Sequence, residues 1–185
     1  MNSVVMGIDP SINSTGICVN KPKKNIYYII PSKMTKKMTS FKHNRINFFP
    51  YQKTDIKNMD YKDKEYAKTI NIYNICQNIK TILKKHKPDL VIMEGVSYGS
   101  TGSAALVDLS GLQFAIRMLL IDMKVPFIIT SPTSVKKFAV ANGQAEKDII
   151  IDAWKRLDPE MCDITDIKID DCADAYFLAH YNFES

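Results

Sequence analysis

Apolar residues open the chain in short blocks, and three- and four-residue periodicities take over further along. Residues 3–9 read as a buried strand, residues 15–20 as its partner, and residues 25–31 as a third strand that stops at Pro31. Pro10, Ser11, Ile12, Asn13 and Ser14 form a turn-rich link between the first two, so the chain should begin as an antiparallel meander. Residues 62–86 read as a long helix, with Tyr66, Ile70, Tyr73, Cys76, Ile79 and Leu83 as its apolar stripe. Lys84, Lys85 and His86 crowd its last turn, and Lys87-Pro88 ends it. A strand at 89–94 should then lie parallel to the first, because a helix precedes it. A loop over 97–103 leads to a helix over 104–124, with Leu106, Leu109, Leu112, Ile116, Leu119 and Met123 in phase. A short strand at 125–130 follows. Ser131 caps a helix with Pro132 at its first position, and further helices are expected over 144–157 and 171–182. The result is an α/β fold with a five-stranded mixed sheet, three antiparallel strands and then parallel ones, flanked by helices. No repeat or linker divides the chain, so residues 1–185 should form one domain. Residues 32–60 are too long for an ordinary connection and read as an insertion or mobile arm, in which 46–51 can pair briefly.

Composition adds limits. The chain has 185 residues, 45% hydrophobic and 24% charged, which suits a globular domain with a sizeable core. No uninterrupted apolar run reaches 18 residues, and the start lacks a basic segment followed by an apolar one. Neither a membrane span nor a signal peptide is expected. Cys18, Cys76, Cys162 and Cys172 are scattered, without a C-x-x-C pair, so no zinc or disulfide framework is expected. A soluble protein of a reducing intracellular compartment fits these features. The net charge of +5 is modest but uneven. Residues 21–87 carry 17 Lys+Arg against 4 Asp+Glu, while the rest carry 8 against 16. A phosphate-binding face beside an acidic centre accounts for this, and so does a lysine-coated solvated surface.

The acidic residues make the first account concrete. Asp9 ends the first strand, Glu94 ends the strand predicted parallel to it, and Asp171 and Asp174 stand three apart at the start of the last helix. Each has a plain explanation alone: a turn Asp before Pro10, a solvated strand end, acids at a helix N-terminus. Together they lie where this topology can bring them to one place, since α/β sheets gather ligands at the carboxyl ends of their strands. Four carboxylates so placed repel one another, and two Mg²⁺ ions would balance them. Mn²⁺ could substitute, because both are hard cations with oxygen ligands. That chemistry suits two-metal phosphodiester hydrolysis. His43, His86 and His180 lie elsewhere in the sequence and read as surface or packing residues.

Four short motifs, in order, carry a resemblance. Gly7-Ile8-Asp9-Pro10-Ser11 with Thr15-Gly16, then Ile92-Met93-Glu94-Gly95-Val96, then Gly143-Gln144-Ala145-Glu146-Lys147, and last Asp171-Cys172-Ala173-Asp174-Ala175 resemble those of RuvC-type Holliday junction resolvases, viral members included. The resemblance implies an RNase H-like fold and a homodimer that cuts four-way DNA junctions, leaving 5′-phosphate and 3′-hydroxyl ends. It implies Asp9, Glu94, Asp171 and Asp174 as metal ligands, Lys147 on the scissile phosphate, Lys136 and Lys137 as further basic contacts, and a dimer packed largely through the 104–124 helix. Where bacterial members carry an aromatic residue three after the second acid, this chain has Ser97. Tyr98 follows and takes the stacking role in this reading. Asp170 adjoins Asp171 as a competing ligand. Flap or fork cleavage, a non-catalytic junction-binding module and an actin-like ATPase or sugar kinase are the alternatives; the last needs two lobes that 185 residues do not provide.

Overall fold

A computed structural model describes residues 3–96, 103–165 and 167–182. Three strands, β1 (Val5–Asp9), β2 (Ser14–Lys21) and β3 (Lys24–Pro31), form the expected antiparallel meander, with Gly7 opposite Cys18, Asp9 opposite Gly16 and Ile17 opposite Tyr28. The segment after β3 is ordered. It holds a short helix, α1 (Lys36–Ser40), capped by the Thr35 hydroxyl, and a strand, β4 (Ile46–Phe48), parallel to β3. Then come α2 (Tyr61–His86), β5 (Leu90–Glu94), α3 (Ser103–Asp122), β6 (Phe127–Thr130), α4 (Pro132–Val140), α5 (Lys147–Leu157), a single 3₁₀ turn (Pro159–Met161) and α6 (Ile169–Ala179). Among the described residues the sheet therefore has six strands in the order β4-β3-β2-β1-β5-β6, not five, because the insertion contributes β4 at one edge. β5 lies parallel to β1, and β6 parallel to β5.

Period-two alternation divides two apolar layers across this sheet. Met6, Ile8, Ile17, Val19, Val91 and Met93 point to one face and pack under α2 and α3. Cys18, Tyr27, Ile29 and Ile92 point to the other, against Trp154 of α5 and Phe177 and Leu178 of α6. The buried stripe of α2 is rotated from the sequence expectation. Ile75, Cys76, Ile79, Ile82 and Leu83 face the sheet, whereas Tyr66 and Tyr73 are 70% and 56% exposed. A 26-residue helix offers two overlapping three-and-four ladders, and the aliphatic one wins the core because tyrosine can keep its hydroxyl in water. Helix α3 is long and apolar enough to cross a membrane by length and composition alone, although no uninterrupted apolar run signals it. In the fold it lies on α2. Leu112, Ile116 and Leu120 are buried, and Asp108 pairs with Lys68 at 3.1 Å.

The insertion is held by a buried polar network. Arg45 donates to Asp158 at 2.6 Å and also faces Glu160 at 3.1 Å. Tyr27 donates its hydroxyl to Asp158 at 2.7 Å, and the Trp154 indole N–H donates to that hydroxyl at 3.0 Å. Further along, Tyr51 donates its hydroxyl to the Ile12 carbonyl. These bonds join β3, the insertion and α5, so residues 32–60 are docked on the edge of the sheet. Asp158→Leu would leave the Arg45 guanidinium buried without its main partner and is expected to cost about 3–5 kcal/mol in urea denaturation. A loss no larger than that of an exposed ion pair, about 1 kcal/mol or less, would show that apolar contacts alone hold the insertion.

Candidate active site

Strand alternation aims two of the acids at the same face. Met6 and Ile8 point toward α2 and α3, so Gly7 and Asp9 point toward α6; likewise Val91 and Met93 leave Ile92 and Glu94 on the α6 side. Because β1 and β5 are adjacent and parallel, with Ile8 beside Met93, Asp9 and Glu94 end neighbouring strands side by side. Their carboxyl groups lie close enough for the neutral form of one to donate a hydrogen bond to the other.

The other two acids arrive on α6, which sits unusually close to the sheet. A Cβ on Gly7 would stand 2.2 Å from the Ala175 carbonyl oxygen and 2.5 Å from the Ala179 nitrogen. One on Gly16 would stand 2.2 Å from the Asp171 carbonyl oxygen. Only glycine leaves room for helix backbone at these two points. Gly16 is also the register partner of Asp9, so the contact that seats α6 sets Asp171 next to Asp9. The Ser14 hydroxyl donates to the Asp171 carboxylate. Thr15 closes the turn after Asp9, donating to the Ser11 carbonyl at 2.8 Å while accepting from the Ser11 N–H at 3.1 Å.

Electrostatics follows from this crowding. Burial first, then the charges of Glu94, Asp174 and Asp171, raise Asp9 well above the usual carboxylate range. Burial and Asp174 raise Glu94 to about 7. Asp171 is pushed up to about 7 by burial, against the Ser14 hydrogen bond, and Asp174 to about 6, mainly by burial. The charge of Lys136 favours the ionised forms of Glu94 and Asp174, and that of Lys147 favours ionised Asp174. Such a set, with no Cys or His among its donors, fits a hard dication in donor chemistry. As the rotamers stand, no three His, Cys, Asp or Glu side chains among the described residues surround one point at ligand distance. Asp9 and Glu94 are turned to each other, and Asp171 to Ser14.

Lys147 opens α5 and donates to Asp170 at 2.9 Å. Burial alone would raise Asp170, but the Lys147 hydrogen bond and charge outweigh it and hold the carboxyl low. Asp170 thus pairs with the lysine. Lys136 donates to the Ala145 carbonyl at 2.9 Å. It lines a cavity of about 330 Å³ together with Glu94, Lys147 and Asp174, over a floor of Val135, Ile150 and Phe177. Lys137, the next residue, points elsewhere, to a separate cavity with Ser134, Phe138 and Tyr181, so the structure does not bring it to the acids. Tyr98 and Ser97 lie outside the described residues. Sequence reasoning missed Ser14, which carries no motif signal beyond its place before Thr15-Gly16.

The family model described as crossover junction endodeoxyribonuclease RuvC matches residues 56–180, which include Glu94, Lys136, Lys147, Asp171 and Asp174 but not Asp9. The crossover junction endodeoxyribonuclease RuvC of Gloeobacter violaceus is 30% identical over 105 residues, 57% of this chain and 58% of that relative. The matched part thus spans less than two thirds of that protein. The structure of Thermus thermophilus RuvC in complex with a Holliday junction substrate superposes with a TM-score of 0.62 at 16% identity, covering 96% of this chain and 90% of that one. The yeast mitochondrial Holliday junction resolvase Ydc2 gives 0.57 at 18% identity, covering 96% and 76%. At such identities the superpositions speak for the fold, which is RNase H-like along nearly the whole chain. A family match that takes in Glu94, Asp171 and Asp174, over more than half of the sequence, means that this chain belongs to the RuvC family of crossover junction endodeoxyribonucleases.

Proposed function

We propose that the chain is a magnesium-dependent, structure-selective DNA endonuclease that resolves four-way junctions inside the cell, leaving 5′-phosphate and 3′-hydroxyl ends. The observation that carries this reading is the convergence of Asp9, Glu94, Asp171 and Asp174 where β1 and β5 end under α6. The T. thermophilus RuvC that shares the fold is bound to a Holliday junction, which supports the substrate class. Asp9 and Glu94 from the strands, with Asp171 and Asp174 from the helix, would hold two ions. When bound, the ions supply charge that activates water and stabilises the leaving 3′-oxygen. The chain's own lysines do the rest. Lys147 can exchange Asp170 for the scissile phosphate, and Lys136 adds positive charge on the same cavity wall. The apolar floor under them limits water and strengthens both interactions.

Helix α3 supports a dimer. Val107, Phe114, Met118 and Ile121 are between 61% and 66% exposed, and with Gly111 they repeat at the four- and three-residue steps of a helix–helix seam. A second copy laid on this seam would cover it and bring two active sites to one junction.

Asp174→Asn should slow Mg²⁺-dependent junction cleavage by at least about 100-fold, roughly 2.7 kcal/mol of barrier, while junction binding in EDTA persists. Lys147→Met should cost about 100-fold or more, as loss of one electrostatic stabiliser does. Wild-type rates in both variants would remove these acids and this lysine from the chemistry.

Metal dependence should also appear in stability. Glu94 titrates near 7 in the fold against an ordinary 4.5, so the folded site keeps protons that the unfolded chain has already released. Without metal, this group therefore contributes less stability as pH rises from about 4.5 to 7. Mg²⁺ replaces the protons, so its gain in thermal midpoint over EDTA should be larger at pH 8 than at pH 5. Equal gains at both pH values would mean that the ions bind elsewhere.

Met118→Asp should reduce the mass in sedimentation from a dimer to the 21.0 kDa of one chain and abolish paired cuts on opposing strands. A dimer that survives this change would place the seam on another surface.

A further inference from the structure

The docked insertion carries a groove of about 580 Å³ between α1 and β4, away from the acidic cluster. Met34, Met38, Phe41, His43 and Phe48 line it. The Phe41 and His43 rings stack with centroids 6.2 Å apart and planes 25° from parallel, and Phe48 meets Phe41 edge-on at 6.1 Å. The Arg45 N–H donates to His43 Nδ1 at 3.2 Å, which fixes the imidazole, while the Arg45 guanidinium is anchored on Asp158. These contacts hold the two rings beside each other. Lys42 is exposed on the lining of the groove, and Lys33 and Lys36 are exposed close by in sequence, beside Met34 and on α1. Residues 32–54 hold six Lys or Arg and no Asp or Glu, and the neighbouring Glu160 is already matched by Arg45.

We propose that this groove is a second nucleic-acid subsite, one that takes an unpaired stretch of DNA strand, with a base against Phe41 and His43 and phosphates on Lys36 and Lys42. Two features select that ligand. Ring faces together with cations suit stacked bases on a charged backbone, whereas a surface of cations alone would suit any duplex. A duplex hides its base faces, so the aromatic floor rewards only strands that are open. The sheet places the groove within reach of the acids. β4 runs in the same direction as β1, three strands away, which is about 14 Å at ordinary strand spacing. At about 3.4 Å of rise per nucleotide, a strand leaving the acids would reach the groove in roughly four nucleotides. Open strands near a branch point are the substrate this implies.

The inference rests on the reading of the chain as DNA-acting, and its test is kept apart from cleavage. Fluorescein-labelled oligo(dT) of about eight nucleotides is titrated with the full chain in EDTA, beside a blunt duplex of equal length. Phe41→Ala should weaken oligo(dT) binding about 5- to 150-fold, the range that one stacked base carries. Because Phe41 is half-buried, its thermal midpoint is measured in parallel. The double change Lys36→Gln with Lys42→Gln removes only exposed charge and should reduce the slope of log affinity against log salt by about 1.4. Cleavage of a fully paired four-way junction in Mg²⁺ should stay at the wild-type rate in both variants. Loss of wild-type cleavage activity altogether would count against the proposed function, not against the groove. Oligo(dT) affinity and salt slope unchanged in both variants would overturn the proposal. So would an equal loss for duplex and oligo(dT), which marks an unselective basic patch, or a fall in oligomeric mass, which marks a seat for a second copy.

Discussion

The close seating of α6 on β1 and β2 is the contact on which the acidic cluster depends. Two missing Cβ atoms, at Gly7 and Gly16, let helix backbone touch strand backbone. Without that approach, Asp171 and Asp174 would ride above the sheet while Asp9 and Glu94 stayed on it, and the four could not share a ligand. The same face of α6 is otherwise built from Ala175, Leu178 and Ala179, whose small or aliphatic side chains fill the remaining space. One packing constraint thus explains the two glycines, the alanine-rich helix and the spacing of the acids.

That seating brings like charges together in a half-buried place, which destabilises the charged site. Burial and mutual repulsion raise all four carboxyl groups. The surroundings offset this only in part, through Ser14 on Asp171 and the charges of Lys136 and Lys147. Lys147 shows the same tension from the other side. It is the first residue of α5, where the helix dipole disfavours a cation, and Asp170 holds it there. A lysine placed against the local preference and paired across to the acids' own helix is hard to explain by folding alone. Local preference yields here to the pairing with Asp170.

How much of this was legible in the chain depends on the kind of signal. The strand ends were readable because an apolar run that stops at a carboxylate has few interpretations, and the order of elements then fixed which ends could meet. The helix positions were also readable, but the facing side of α2 was not. Tyr66 and Tyr73 continue its three-and-four ladder as well as the buried Ile75 and Ile82 do, and only packing decides between them. How the insertion docks was not legible for a related reason. Its anchor is a long-range pair, Arg45 with Asp158, 113 positions apart, which leaves no local trace in sequence. Lys136 and Lys137 differ by one residue and read alike, yet a turn of 100° on α4 sends one to the acids and the other away.

The charge asymmetry of the chain takes on a definite shape in the fold. The acids occupy the ends of central strands, while much of the lysine excess sits on the added edge and along α2. Such an arrangement keeps the attractive field for a polyanion outside the cluster that would otherwise repel it. The anchoring of the insertion matters for the same reason. Lysines on a mobile arm would lose conformational entropy on each encounter with a polyanion, whereas lysines on an edge held by Arg45 and Asp158 have their backbone placed beforehand. The buried pair thus does more than stabilise the fold, since it also sets the backbone that carries part of the basic surface.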